Sequence, residues 1–564
     1  MATHPAHSEF RPILMSTLAA SALYPTPQGA PLRVAVLLAG EFAPAWLCEA
    51  LNRLGDAVFL DLQWYQVMSV PSVLPGNSAY ERYQRADMRL LRELQPILQM
   101  RAIQQIGRAR ALHFVADENA GSSLDTHGLA VLREQKADLI LAVGMPPAQA
   151  ALAACARLGV WAIAPEELCA LHSGRWLLAD FMRGAECTLG GLRVYSSQAK
   201  GWLLLEPGES SVAQLSFARH RAYQLQKGPA QLLRALRRVA NGMTPRSRVG
   251  IAEARPGIGT LIRLALRLFG RAWTRHRPRM GRAERWCIAV RESDRGLDPD
   301  RPFAQDFRRI DAPKGQFWAD PMPWIDNGRR YVLVESWDYA RQLGDVLALE
   351  LDAQLRVRQV TTALREPYHL SFPMLFRWAE QTCMVAESAQ VKRVDLRVAQ
   401  RFPDRWSNMA TLLHGWRVVD ATLTEYAGRC WMFASVAETP FDDGGREWNE
   451  LFLFHADTPL GPWLPHPGNP ICTDVRRSRS AGPLFMHNGR LIRPAQDCAA
   501  EYGRAVVFNE ITTLTTEHFA ERRLGTLEPD WLPGIDGCHT YARHGRLEVL
   551  DAKYLAPRAD TRAT

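Results

Sequence analysis

QFWADPMPWIDNGRRYVLVE, residues 316–335, reads as two short strands joined by a tight turn at Asn327-Gly328, with Asp320 at the start of the first strand. An Asn-Gly step between alternating apolar runs is a strong hairpin signal, because both turn residues tolerate positive φ. Toward the carboxyl terminus the pattern repeats four times: HLSFPMLFRWAEQTCMVAE (369–387), VVDATLTEYAGRCWMFA (418–434), RSAGPLFMHNGRLIRPA (479–495) and DGCHTYARHGRLEVLD (536–551). Each opens on polar residues, runs through a short apolar strand, turns and returns as a second apolar strand. Four of the five turns carry Gly-Arg, at Gly328, Gly428, Gly489 and Gly545. The units recur every 50 to 60 residues or so, the blade length of a β-propeller built from small four-stranded sheets. Five units predict five blades.

The innermost strand of each propeller blade runs along the central axis, so equivalent ends of these strands converge on one axial pocket. The lining predicted here is Asp320, His369 with Ser371, Asp420, Arg479 with Ser480, and His539, to which Gln496 and Asp497 add polar contacts. The alternative is that these polar residues only start strands. Carboxylates accept paired hydrogen bonds from vicinal hydroxyls, and Arg479 has the chemistry to pair with a phosphate or carboxylate. Trp318, Phe372 and Trp337 either stack on sugar rings or fill blade interiors. The predicted partner is a sugar, a nucleotide sugar or a glycolipid.

The 564 residues suffice for two or three domains. Ten cysteines are scattered without a CxxC pair, and the first thirty residues do not read as a secretory signal. The expectation is a cytoplasmic protein with no metal and no cofactor. The net charge of +9 is local: residues 244–285 hold 11 Arg, no Lys and 2 Glu, which leaves 57 basic and 57 acidic residues in the remainder. That distribution argues against nucleic acid as a partner. The predicted organisation is a flexible tail (1–31), an α/β domain (32–243), a basic amphipathic linker (244–285), the propeller (286–556) and a short tail (557–564).

LRVAVLLAG from Leu32 is a buried strand opening an α/β unit, and ADLILAVGMPPAQAALAACARLGVWAIAP (137–165) is strand, loop, helix, strand. This alternation predicts a mostly parallel sheet of Rossmann type, covered on both faces. Residues 138–165, with the downstream ADFMRGAECTLGGLRVY, resemble the formyltransferase fold over roughly residues 32 to 240. That family carries an Asn and a His in a G-V-x-N-x-H-P motif; here the segment is Gly159-Val160-Trp161-Ala162-Ile163-Ala164-Pro165. Alanine neither donates to an oxyanion nor moves a proton, so the resemblance implies a degenerate domain kept as a scaffold. His172 nearby reads as a solvated loop residue.

Between the domains, Arg263, Arg267, Arg271 and Arg275 recur at a four-residue spacing, one stripe of a helix, with Leu261, Leu264 and Leu268 elsewhere on it. Two readings stand: residues 256–279 lie on an anionic membrane surface, peripheral to the inner membrane, or the helix packs on a domain with its arginines solvated.

FWADPMP, HLSFPMLF, VVDATLTEYAGRCWMF, LFLFHADTPLGPWLPHPGNPI, RSAGPLF, RPAQDC and NEITTL, in this order, resemble the amino-terminal domain of the glucosamine inositolphosphorylceramide transferase family, as found in bacterial proteins without the attached glycosyltransferase. That domain is in turn similar to the five-bladed propellers of glycoside hydrolase family 43. The resemblance implies Asp320 as general base and Asp420 as the second aspartate, with a Glu as acid across the glycosidic bond. The fourth inner strand offers Arg479-Ser480-Ala481-Gly482 and no Glu, so the acid is sought at the second-strand ends, in Glu387 first and then Glu335, or in Glu510. The expected function is binding and processing of a glycosyl group in glycan or glycoconjugate biosynthesis. The alternatives are a non-catalytic glycan-binding or assembly module, and a sugar N-formyltransferase with an unusual site.

Overall fold

A computed structural model of the chain describes residues 20–68, 76–90, 95–117, 121–146, 150–250, 256–438, 441 and 449–562. Residues 1–19 of the expected tail and 251–255 of the basic linker lie outside these.

The hairpin around Asn327-Gly328 pairs Gln316–Asp326 with Arg329–Asp338. Asn327 and Gly328 both have positive φ, 47° and 75°, the turn whose twist matches that of two antiparallel strands. Leu343–Leu351 and Val357–Leu364 complete a four-stranded antiparallel blade. Three further blades follow in the same order, beginning at Ser371–Trp378, Arg417–Tyr426 and Phe485–His487.

The fifth blade is composite. Tyr541–His544 and Ile535–Gly537 lie inside Leu547–Pro557, and the sheet is finished by Arg282–Glu292 and Arg308–Ile310, which precede the first blade in sequence. Arg282–Glu292 pairs with Leu547–Pro557 along its whole length, from Arg282 opposite Pro557 to Glu292 opposite Leu547. The ring is therefore closed by strands from both ends of the region, and the closing strand begins inside the segment read as linker.

Residues 32–250 form a nine-stranded mixed sheet with helices on it. Its five parallel strands lie in the order Val160–Ile163, Leu139–Val143, Leu32–Ala39, Leu60–Met68, Arg110–Asp117, flanked by antiparallel strands on both sides. Leu32–Ala39 is apolar and buried apart from the exposed Arg33, because both its faces are covered. Val34, Val36 and Leu38 enter one core and Ala35, Leu37 and Ala39 the other.

The two regions make direct contact. Arg234, from the helix Gly228–Ala240, reaches the third blade, donating to Glu438 and, at 2.8 Å, to Glu450, while its Nε donates to the Tyr24 hydroxyl at 2.7 Å. The described part of the amino-terminal tail differs from the flexible segment expected from sequence. Leu23 is buried in the propeller core, and Ser21 exchanges hydrogen bonds with His414. An apolar Leu-Tyr pair inside a polar tail is too short a signal to reveal such docking.

Candidate functional site

Asp320 does not start its strand, as the sequence reading had it; it sits mid-strand, at a bulge between Ala319 and Met322, with φ of 49°. The same bulge recurs in the next two inner strands, at Phe372 (φ 42°) and Asp420 (φ 50°). Left-handed backbone at a residue with a side chain costs roughly 1–2 kcal/mol, and three equivalent instances around one axis mark a built site. Opposite these bulges the second strands supply Glu335, Glu387 and Ser435. The fourth blade contributes Arg479 and Gln496, whose backbones are hydrogen-bonded to each other, and the fifth contributes His539 and Asp551.

These groups form one buried network. Asp420 accepts a paired hydrogen bond from Arg479, through Nε and, at 3.2 Å, through Nη2, and a third from Gln496 Nε2 at 3.2 Å. Glu387 Oε2 lies 3.7 Å from Arg479 Nη2 and accepts the Asp420 backbone N–H at 3.3 Å. Asp320 accepts from the Phe372 N–H and the Thr540 hydroxyl, each at 3.1 Å. His539 Nδ1 is 2.6 Å from Asp551 and 3.8 Å from Asp320, and its ring stacks on Trp286 at 4.0 Å.

Burial and crowding of like charges decide the protonation pattern. Glu335 is held well above the usual carboxylate range by burial, then by Asp320 and Glu387. Glu387 is raised likewise, by burial and then by Asp420. Asp320 is pushed up to about 6 by burial and by Asp420 and Asp551, against the opposing pull of His539 and Arg479. Burial works against the His539 cation, but Asp551 outweighs it and raises the imidazole. His369 is lowered to about 4 by burial and by Arg479. Burial and like charge thus favour the protonated form of Glu335 and Glu387, beside an Asp320 raised to about 6.

The structure brings together Asp320, Asp420, Glu387, Arg479, Gln496 and His539. His369 stands at the rim, accepting the Gly344 N–H at 2.9 Å, with Glu335 3.8 Å away; Ser371 is buried opposite Glu387. Asp497 lies elsewhere: it caps the Ala499 N–H and meets Arg504, 3.0 and 3.3 Å away, because its side chain points to the opposite face of the strand from Gln496. Glu510 pairs with Arg522 and takes no part. Trp318 and Phe372 are core residues, which leaves Trp337, against His369, as the accessible ring among the three aromatics considered. The Arg479 edge that could have met a phosphate is taken by Asp420.

Glu335 belongs fully to the cluster, and Asp551, Thr540 and Tyr502 were not foreseen. Asp551 ends the fifth quoted unit, and pairing that hairpin as the first is paired would have placed it opposite Thr540. Tyr502, whose ring lies under Arg479 at 5.0 Å, sits in a loop and leaves no pattern. Asp320, His539 and Asp551 bring ligand atoms within 4.8 Å of one another. The 2.6 Å contact between His539 Nδ1 and Asp551 joins two of these three groups directly. The hydroxyls of Ser435, paired with Val419 across the strands, and of Ser480, next to Arg479 in the chain, are buried with no hydrogen-bond partner among the described residues.

The family model described as "Glucosamine inositolphosphorylceramide transferase 1, N-terminal" matches residues 308–530. The chain is 34% identical over 209 residues to the protein named glucosamine inositolphosphorylceramide transferase 1 in Oryza sativa subsp. japonica. It is 30% identical over 208 residues to the protein of that name in Arabidopsis thaliana. Each match takes in 36% of this chain and 27% of the relative, so the chain spans about a quarter of the length of these relatives. Among solved structures, a family 117 glycoside hydrolase of Zobellia galactanivorans is similar over 48% of this chain and 90% of its own, at 12% identity and a TM-score of 0.31. A thermostable family-43 glycoside hydrolase is similar over 37% and 76%, at 12% identity and a TM-score of 0.28. The five blades follow from strand pairing, independently of these likenesses.

Proposed function

We propose that the propeller centre binds a glycosyl group of a glycoconjugate and transfers it, or hydrolyses it from its carrier, by acid–base chemistry. The observation that carries this reading is the gathering of Asp320, Asp420 and Glu387 in the buried propeller centre, with Arg479 bonded to Asp420 and 3.7 Å from Glu387, where burial and neighbouring carboxylates raise Glu387 above its ordinary value. In this reading Glu387 gives its proton to the leaving oxygen as the anomeric C–O bond breaks. Asp320 takes the proton of the incoming hydroxyl as the new C–O bond forms. Asp420, held by Arg479 and Gln496, orients Glu387 through its backbone N–H, and Glu335 keeps a second proton in reach. The Ser435 and Ser480 hydroxyls supply hydrogen bonds for sugar hydroxyls. The similarity of residues 308–530 to a domain of proteins named for glucosamine transfer to inositolphosphorylceramide supports a glycolipid as the class of substrate.

The formyltransferase likeness of the first region enters as a scaffold. Ala162 and Ala164, both buried at the edge of the parallel strands, supply no group for formyl transfer.

A specific observation favours a second reading, glycan binding without turnover: both oxygens of Asp320 already hold hydrogen bonds. The test is turnover of nucleotide sugars, lipid-linked glycans and aryl glycosides by the full chain, alongside calorimetric binding. Asp320→Asn and Glu387→Gln are each expected to lower turnover by about 10²–10⁴ while binding persists. Wild-type activity should fall as pH drops through about 6, where Asp320 gains its proton. Binding by the wild type with no turnover of any of these compounds would leave the second reading standing.

A further inference from the structure

The helix Ile258–His276 has two apolar faces rather than one. Leu264 is buried, and Leu261 and Leu268 pack beside it against Trp176, Leu177 and Phe181 of the α/β region. Arg267 and Arg271 fasten the same side, donating to the Met182 carbonyl at 2.9 Å and the Phe181 carbonyl at 3.1 Å. On the far side Ile258, Ile262, Leu266, Phe269 and Trp273 are between 56 and 73% exposed. Their spacings of four, four, three and four residues bring all five within about 80° of the helix circumference. An apolar stripe of this size, continuous over the length of a helix that is already seated on its own domain, has no partner among the described residues.

The charge around it names the partner. No Asp or Glu occurs between Glu253 and Glu284, while Arg263 borders the stripe and Arg275, Arg277, Arg279 and Arg282 cluster at its carboxyl-terminal end. There the stripe leads to Met280, 73% exposed, and to an open cavity of about 620 Å³ lined by His276, Arg282 and Arg558, with Arg279 held by the Glu284 and Glu501 carboxylates at 2.8 and 3.3 Å. Isoleucine, leucine and phenylalanine beside a tryptophan match the acyl–headgroup boundary of a bilayer, and arginines match its phosphates. Among the described residues no helix is long and apolar enough to cross a membrane, so the fit is to its surface.

We propose that this face docks the protein on an anionic lipid surface, with the stripe 258–273 immersed below the headgroups and the arginine-lined cavity receiving a lipid phosphate. The docking stands on different residues from the glycosyl site, so either reading survives failure of the other.

The test is flotation of the full chain with vesicles of phosphatidylcholine alone and of phosphatidylcholine with phosphatidylglycerol. At least about tenfold more protein is expected on the anionic vesicles, with binding weakened by salt. Phe269→Ser with Trp273→Ser should reduce it about tenfold or more. Both side chains are largely exposed, so thermal melting should be unchanged. Should that pair fail to fold, Arg263→Glu with Arg275→Glu reads the same interaction through its charge. Equal flotation on neutral vesicles, undiminished binding by the variants, or a concentration-dependent dimer abolished by the same substitutions would overturn the proposal. The last outcome would mark the face as an interface between copies.

Discussion

Glu335 illustrates how a residue's role here depends on its surroundings. Its carboxyl is held well above its ordinary value by burial and by Asp320 and Glu387. The folded state therefore binds this proton more tightly than the unfolded chain does. Stability from the protonated carboxyl is fully present at pH values below the unfolded value and is lost as pH rises toward the raised folded one. Glu335→Gln, a neutral isostere, should leave the melting temperature unchanged near pH 5 and raise it relative to wild type near pH 9; thermal melts at the two values check this. A second residue-scale case is Cys169. His172 is not the solvated histidine expected from sequence: it is buried, with Nε2 2.9 Å from Glu81, whose carboxyl is lowered to about 2 by the Ser78 N–H and then by His172 itself. Although burial opposes it, the neighbouring imidazole lowers the Cys169 thiol below its ordinary value. Cys169 is partly buried, whereas the described cysteines of the propeller are all buried. Iodoacetamide at neutral pH, read by peptide mass spectrometry, should alkylate Cys169 first, and His172→Ala should remove that preference. The spacing Cys169 to His172 was visible in the sequence; Glu81, which fixes the imidazole, was not, because it comes from a separate helix.

At the scale of the element, the hairpins were the most legible features, since a turn is specified by its own two or three residues. Asn327-Gly328, Ala427-Gly428 and Asn488-Gly489 all take the expected left-handed pair. The second blade shows the limit of that legibility. Its turn uses Ala379 and Glu380 at φ of 46° and 63°, the same geometry without a glycine or asparagine. Tertiary packing of the blade supplies what the turn residues do not. Glu380→Gly should therefore stabilise the propeller by about 1 kcal/mol, by relieving the left-handed strain. A shift of the urea midpoint to higher concentration with an unchanged slope is the expected reading. The inner-strand bulges were invisible in advance, because Asp320, Phe372 and Asp420 share a backbone conformation and no residue type.

At the scale of the molecule, Arg234 ties the α/β region to the third blade and to the amino-terminal segment through Glu438, Glu450 and Tyr24. All of these groups are largely withdrawn from solvent, and removing the cation would leave two carboxylates unpaired. Arg234→Ala is expected to cost about 3–5 kcal/mol. Calorimetry should show the first region and the propeller melting in separate steps where the wild type melts closer to one.

What sequence alone determined is the part governed by short range: five hairpin units and the α/β alternation before them. Period-two alternation, turn chemistry and buried apolar runs act within a dozen residues, so they are written where they act. The tertiary structure decided the rest. Glu335, Glu387, Asp420 and Arg479 are remote in sequence and meet only because the ring closes, which Arg282–Glu292 achieves by pairing with the last long strand. The raised proton affinity of Glu335 and Glu387 follows from that meeting, since burial and neighbouring charge disfavour their charged forms. The linker helix follows the same rule. Its residues announced an amphipathic helix, but which apolar face is covered and which is left to solvent was settled by what it packs against.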